Sequence, residues 1–248
     1  MTLTFRRRAY LTAWRLSQRG SDRSCPCCAK RVRQFAPYGP ARRANAQCPG
    51  CGSLERHRAL WLYLRDSTDL LARSIRVLAV APDEFLEGHA RRTPWDYLSI
   101  DIGRGRAARQ MDLTALELPD ADRDLVIAYH VLEHIVDDHA AMSEMARVLR
   151  PGGMAILTVP IEGDMTDERF RDAPADVRAK AYGQPDHVRL YGRLDFAERL
   201  RKVGLITQEI VVGDLFGDVA DEFGLLPGEL FFVARPTEAE TLNGGAGR

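Results

Sequence analysis

The sequence predicts an α/β fold: a doubly wound, mostly parallel sheet with helices on its faces, preceded by a small cysteine-rich domain. Three observations carry that prediction. Residues 124–160, DLVIAYHVLEHIVDDHAAMSEMARVLRPGGMAILTVP, read as one β-α-β unit. From residue 75 onward, apolar runs of strand length alternate with amphipathic segments of helix length, the pattern of an α/β sheet. Ahead of them stand two Cys-x-x-Cys pairs, Cys25 with Cys28 and Cys48 with Cys51.

Residues 1–20 (MTLTFRRRAYLTAWRLSQRG) form a basic arm or helix. Arg15 interrupts what would be the apolar region of a signal peptide, so this start is a poor secretion signal. Residues 21–52 hold the cysteine pairs. Nineteen residues, 29–47, separate the pairs. That is the spacing of a four-thiolate zinc ribbon, in which each pair sits on a tight turn and aims both sulfurs at one ion. Cys27, the odd fifth cysteine, is a bystander. The rival is a pair of disulfides, and a chain without a secretion signal keeps its thiols reduced, which favours zinc. A domain this small buries too little apolar surface to fold alone, so the metal would supply folding energy and keep no open position for chemistry. Residues 53–73 are the connecting helix. Ser53 is its N-cap, 54–66 its helical span, and Leu60, Trp61 and Leu64 its apolar face. His57, between Arg56 and Arg58, reads as a surface or interdomain residue.

Residues 74–236 supply the sheet domain. IRVLAVA (75–81) is a buried strand and 84–92 the helix after it. Residues 96–100 make a second strand ending in Asp101, and 109–111 a short third ending in Asp112. The fourth strand is 125–128. Leu132, Ile135, His139, Met142, Met145, Ala146 and Leu149 then recur at three- and four-residue steps, one inward helix face. Pro151-Gly152-Gly153 stops that helix, and 154–159 is the fifth strand. So short a crossover is right-handed and parallel, which puts ligands beyond the carboxyl ends of the strands. A helix over 195–203 stopped by Gly204, then strands over 205–212 and 229–234, complete the set. Residues 237–248 are polar and read as a disordered tail.

The HVLEHI that follows the fourth strand, with ARVLRPGGMAILTVP after it, resembles class I S-adenosylmethionine-dependent methyltransferases of the type 11-like kind, over about residues 75–236. The resemblance implies a seven-stranded Rossmann-like methyltransferase sheet with its last strand inserted antiparallel, and S-adenosyl-L-methionine as cofactor beside the ribbon's zinc. It implies that Asp101 accepts the ribose hydroxyls and Asp112 the adenine amino group; the ordinary alternative at each is an Asx turn. The first loop departs from the family. Ala81-Pro82-Asp83-Glu84 has no glycine, and Pro82 has no N–H to donate. Either the Asp83 and Glu84 carboxylates take over by meeting the cofactor's ammonium, or binding is weak or lost.

The same resemblance places His130 where acceptor meets the transferred methyl. The cofactor contacts are therefore Ala81, Asp83, Glu84, Asp101, Asp112 and His130, and the catalytic candidates His187, His130 and Glu133. His130, Glu133 and His134 could together hold a divalent ion, as in some related O-methyltransferases; the ordinary reading is that they serve the start of a helix. His187 lies in GQPDHVRLYG, after a polar stretch over 162–182 too long for a simple connection and suited to a lid. It is the candidate base or substrate contact, with a suitable pKa. Arg189 and Tyr191 alternate with it and could bind an anionic acceptor.

At 248 residues, 45% hydrophobic and 28% charged, the chain has room for one large and one small domain and reads as cytoplasmic. It has no apolar run long enough to span a bilayer. The net charge of zero hides an asymmetry. Residues 1–60 hold thirteen Lys and Arg against two Asp and Glu; residues 61–248 hold twenty-two against thirty-three. A basic ribbon beside an acidic domain fits an anionic partner such as nucleic acid, or the ribbon's own domain. Aromatics among the basic residues are few, Phe35 and Tyr38, which weakens single-strand binding. Ala128-Tyr129-His130 also stands where base-flipping amino-methyltransferases carry an N/D-P-P-F/Y motif. The reading is a methyltransferase with a small-molecule acceptor. The alternatives are an RNA methyltransferase and a non-catalytic ribbon protein that keeps the fold as a binding module. No stretch specifies an oligomeric state.

Overall fold

The computed structural model describes residues 5–39 and 42–237. Most of the expected tail, and the first four residues of the expected arm, lie outside the described residues. In chain order the elements are α1 (Phe5–Ser17), β1 (Arg23–Ser24), β2 (Arg31–Val32), β3 (Ala36–Tyr38), β4 (Arg43–Gln47), α2 (Glu55–Asp66), β5 (Arg76–Val80), α3 (Glu84–Ala90), β6 (Asp96–Asp101) and β7 (Arg109–Gln110). There follow β8 (Arg123–Tyr129), a 3-10 turn (Leu132–His134), α4 (Asp138–Val148), β9 (Leu149–Thr158), α5 (Ala175–Tyr182), α6 (Arg193–Lys202), β10 (Leu205–Val211), α7 (Val212–Phe216), α8 (Ala220–Phe223) and β11 (Leu230–Pro236). A seven-stranded sheet runs in the order β10-β11-β9-β8-β5-β6-β7, and two small hairpins, β1-β2 and β3-β4, stand apart from it. The last strand in sequence, β11, is thus inserted between β9 and β10. The fold is α/β, as the alternation of strands and helices predicts.

The chain divides into two compact units. One is Met1–Gln110 with Glu209–Phe232; the other is Met111–Gln208 with Val233–Arg248.

In the first unit the basic arm is a helix seated on the cysteine-rich domain. Leu11 of α1 is buried, Trp14 donates its indole N–H to the Gln34 carbonyl at 3.1 Å, and Arg7 reaches Gln47 at 2.9 Å. Helix α2 is buried on nearly every side, through Ala59, Leu60, Leu62, Tyr63 and Leu64 but also through Glu55, His57 and Arg58. Arg58 is fully buried, with its guanidinium 4.3 Å above the Phe35 ring. It donates to the carbonyls of Ala46 at 2.9 Å, Ser53 at 3.0 Å, Phe223 at 2.6 Å and Gly224 at 2.6 Å. Only a planar fork of five N–H donors can satisfy so many carbonyls at once. Strands β5 and β6 pair in parallel, Val77 against Tyr97 and Val80 against Ile100.

In the second unit β8 and β9 pair in parallel from Leu125–Met154 to Tyr129–Thr158. Between them the expected helix over 132–149 is not continuous. The Leu132–His134 turn ends at Ile135 in extended backbone, and α4 begins at Asp138 with the Asp137 carboxylate accepting from the Ala140 N–H at 2.9 Å. The break has a visible cause. The buried Arg189 guanidinium takes the carbonyls of Leu132 at 3.0 Å, Val136 at 2.9 Å and Ile135, acceptors a helix would use for itself. The register therefore shifts: Asp138 is buried and His139 exposed. Pro151-Gly152-Gly153 also does more than stop a helix. β9 runs through it as a bulge, five residue steps from Leu149 to Met154 against two from Arg123 to Leu125. Gly152 takes φ +78°, and a Cβ on Gly153 would stand 3.0 Å from the Asp124 carbonyl oxygen.

Candidate functional site

The four cysteines of the two Cys-x-x-Cys pairs converge. Cys25, Cys28, Cys48 and Cys51 bring their sulfurs within 4.8 Å of one another, with Cys25–Cys51 at 3.6 Å and Cys28–Cys48 at 3.8 Å. All five thiols are free, so the disulfide alternative is not the arrangement found. The two turns are near-copies. The Ala29 N–H reaches back to the Cys25 carbonyl at 2.8 Å, and the Gly52 N–H to the Cys48 carbonyl at 2.9 Å. Each returning residue is left-handed, at φ +56° for Ala29 and +81° for Gly52. Gly50 is confined, since a Cβ there would meet the Lys30 side chain at 2.5 Å and the Cys28 sulfur at 3.1 Å. Cys27 stands outside the cluster; burial pushes its thiol up, so it stays protonated. Ser53, expected to cap α2, instead lies 3.4 Å from the Cys25 sulfur and 3.3 Å from that of Cys51. The N-cap is Leu54, whose N–H is accepted by the His57 ring Nδ1 at 3.1 Å.

That contact fixes the His57 tautomer. With Nδ1 accepting, Nε2 carries the proton and donates to Asp83 Oδ2 at 2.6 Å. His57 is buried, not a surface residue, and burial outweighs Asp83 to push its imidazole below the ordinary value. Asp83 is in turn the N-cap of α3, with Oδ1 accepting from the Phe85 and Leu86 N–H groups at 3.0 and 3.1 Å. Burial alone would raise its carboxyl, but His57, the Leu86 N–H and Arg56 together hold it at about 2. Each Asp83 oxygen therefore has a partner within the unit, while the side chain stays 42% exposed. The rings of His57, Phe85 and His89 stack in series at 4.5 and 4.0 Å, joining α2 to α3. Glu84 lies half-buried in the first turn of α3.

Ala81 follows β5 with φ +45°, its N–H on the Ile100 carbonyl at 2.7 Å. The glycine-free loop thus makes the left-handed turn that glycine would make at no steric cost. Asp101 ends β6, and its Oδ1 accepts from the Gly103 N–H at 2.6 Å, an Asx turn. In the second unit Asp112 makes another, accepting from the Thr114 N–H and hydroxyl, both at 2.8 Å.

His130 follows β8 with φ +55°, its N–H on the Thr158 carbonyl at 2.9 Å. A non-glycine residue held there is strained, and such residues gather at functional sites. Its Nδ1 lies 3.2 Å from Glu133 Oε1. Glu133 is fully buried. His187 comes to the same place: Val188 donates its N–H to the Glu133 carbonyl at 2.8 Å, and the His134 and His187 rings meet edge to face at 4.7 Å. Burial lowers the His187 pKa, opposed by the Glu133 charge. His130, Glu133, His134 and His187 are thus brought together, although fifty-two residues of chain lie between the last two. Arg189 and Tyr191 do not join them. Both are fully buried: Arg189 holds the three turn carbonyls and Glu168 at 2.6 Å, and the Tyr191 hydroxyl donates to Asp138 at 2.7 Å. They are not available to an anionic acceptor. Asp138, Glu168, Arg189 and Arg199 form a further ion-pair group, partly buried, whose assembly depends on the helix break.

A mixed seven-stranded sheet of this order, with helices between its strands, is the Rossmann-like methyltransferase fold. Residues 50–157 match the family described as "Methyltransferase domain". The chain is 31% identical over 134 residues to a protein of Mycolicibacterium smegmatis named "Probable S-adenosylmethionine-dependent methyltransferase", 54% of this chain and 45% of that protein. It therefore spans less than half of that relative. Among solved structures it resembles an S-adenosylmethionine-dependent methyltransferase from Mesorhizobium loti, with a TM-score of 0.50 and 16% identity over 71% of this chain and 97% of that one. It also resembles the [4+2]-cyclase SpnF, with a TM-score of 0.52 and 14% identity over 82% and 87%. Among the described residues no helix is long and apolar enough to cross a membrane.

Proposed function

We propose that the protein is an S-adenosylmethionine-dependent methyltransferase that carries a structural zinc in its N-terminal ribbon. The observation that carries the first half is the backbone at two strand ends. Ala81 and His130, one after β5 and one after β8, both take left-handed φ, at +45° and +55°. Strand ends of such sheets are where ligands bind, and strain held there implies use. Ala81 takes the left-handed φ a glycine would supply, so the glycine-free loop does not argue for a non-catalytic module. The resemblance assigns the cofactor to the Ala81 turn, Asp83, Glu84 and Asp101 on the first unit and to Asp112 and His130 on the second. The cofactor supplies an electrophilic methyl group; the protein's task is to align the acceptor with it and exclude water. His130 and His187 are the candidate proton acceptors, with Glu133 orienting His130. SpnF is a reminder that this sheet also hosts other chemistry, so the cofactor's binding has to be measured directly.

The zinc half rests on distance. A tetrahedral ion with Zn–S bonds of ~2.3 Å spaces its sulfurs about 3.8 Å apart. The 3.6 and 3.8 Å pairs fit that cage. A small acceptor is favoured over nucleic acid because several arginines of the basic region are already engaged, Arg58 on carbonyls, Arg43 on Glu55 at 3.1 Å and Arg23 on Asp221.

Two experiments test the reading. Metal analysis of purified protein should give about one zinc per chain, and Cys48→Ser should lose it together with thermal stability; a metal-free, well-folded protein would sink the claim. Asp101→Ala should weaken S-adenosylhomocysteine binding at least ~10-fold, the loss of one charge-assisted hydrogen-bond pair, with the unfolding transition retained. Unchanged affinity would remove Asp101 from the site.

A further inference from the structure

The second unit contains a cluster that methyl transfer by itself does not require. Ligand atoms of Glu133, His134 and His187 lie within 4.8 Å of one another. Glu133 and His187 are more than nine-tenths buried. Among the described residues Glu133 Oε2 and His187 Nε2 have no hydrogen-bond partner. A buried carboxylate oxygen and a buried ring nitrogen left unpaired in one cluster are costly, unless something absent from the chain completes them.

The surroundings specify what that is. His187 Nδ1 is on the Tyr182 carbonyl at 2.9 Å, and His134 Nδ1 is 3.3 Å from Asp186 Oδ2. Each ring therefore commits Nδ1–H to an oxygen and leaves the Nε2 lone pair for a ligand. That is how metal-binding histidines are oriented, by an outer acceptor that fixes the tautomer. Glu133 Oε1 is likewise steadied by His130 at 3.2 Å. We infer that Glu133, His134 and His187 form a site for one divalent first-row transition-metal ion, separate from the ribbon; with the ion bound, the role of proton acceptor falls to His130 alone. Two imidazoles and one carboxylate are a borderline donor set, suited to manganese, iron, cobalt or zinc, and unlike the all-oxygen shells that calcium and magnesium prefer. Three protein ligands leave coordination positions open, as in catalytic rather than structural sites. An open ion of this kind binds and acidifies an oxygen ligand, so the acceptor class it would serve is one with an ionisable hydroxyl. The metal site stands on these residues alone; its service to an acceptor rests on the methyl-transfer reading.

Manganese(II) is the probe, because a four-thiolate ribbon rejects it. The full chain, loaded with zinc, is titrated with Mn²⁺ while the free ion is followed by electron paramagnetic resonance. The expected result is one Mn²⁺ per chain, with zinc content unchanged. Half-exposed His134→Ala, and His187→Asn, should each weaken it at least ~10-fold, with circular dichroism and zinc content as in the parent. No binding at millimolar Mn²⁺, or binding unchanged in both folded variants, overturns the site. S-adenosylhomocysteine binding, measured on the same samples, is scored separately. Its absence alongside stoichiometric Mn²⁺ would remove the methyl-transfer reading and leave the metal site.

Discussion

His57 carries more of the first unit than its place in the sequence suggests. As a neutral ring it accepts from Leu54 and donates to Asp83, so it caps α2 with one nitrogen and fixes the cap of α3 with the other. This arrangement makes a pH prediction. The folded pKa of His57 is lowered, so between that value and the ordinary 6.5 the unfolded chain binds a proton that the folded one refuses. Stability is full above pH 6.5 and falls as the pH drops below it. Asp83 acts at the other end: its carboxyl is depressed from 3.8 to about 2, so its contribution is complete above 3.8 and is lost as pH falls through 2. His57→Gln, which can still accept and donate, should flatten the fall in urea midpoint between pH 7 and pH 5. A slope equal to that of the parent would mean that His57 is not the buried neutral ring described. Ala29 shows the other kind of residue-scale commitment, an alanine held left-handed because the turn demands it.

At the scale of elements, the order of strands in the large sheet was legible in the sequence, because buried parallel strands leave uninterrupted apolar runs, whereas helices α5, α7 and α8 were not expected. The break between β8 and α4 was not. Leu132, Ile135 and His139 fit a helical period, and nothing local reveals that Arg189, more than fifty residues on, would take the carbonyls of that turn. The same distance hid the meeting of His187 with Glu133, although each was singled out alone. Ser53 is a similar case: it has a capping residue's chemistry, but the cysteines claim its hydroxyl. The Arg189 account is testable. Arg189→Met keeps apolar volume but removes the donor of the buried Leu132 carbonyl, of the part-buried Ile135 and Val136 carbonyls and one partner of Glu168, so it should cost at least ~3 kcal/mol by urea denaturation. A cost below ~1 kcal/mol, the centre of the range for point substitutions in general, would mean that the turn is held by other contacts.

For the whole molecule, the cysteine spacing and the β-α-β signature together foretold the cysteine cluster and the sheet. What they could not reach was the use of charge. The excess of arginine over acidic residues in the first sixty positions looks like an advertisement for an anionic partner. Much of it is consumed inside the unit, by Arg58 on carbonyls and by Arg7, Arg23, Arg43 and Arg56 on polar groups of the same unit. Within the first unit, helix α2, through His57, Phe85 and Asp83, braces the loop after β5 to which the proposed cofactor binding is assigned. The most direct test of the account is calorimetric titration of the zinc-loaded chain with S-adenosylhomocysteine. Micromolar binding at one site per chain, about 8 kcal/mol of affinity, is the predicted result. No heat of binding at millimolar cofactor, from a protein that is folded and holds its zinc, would contradict it.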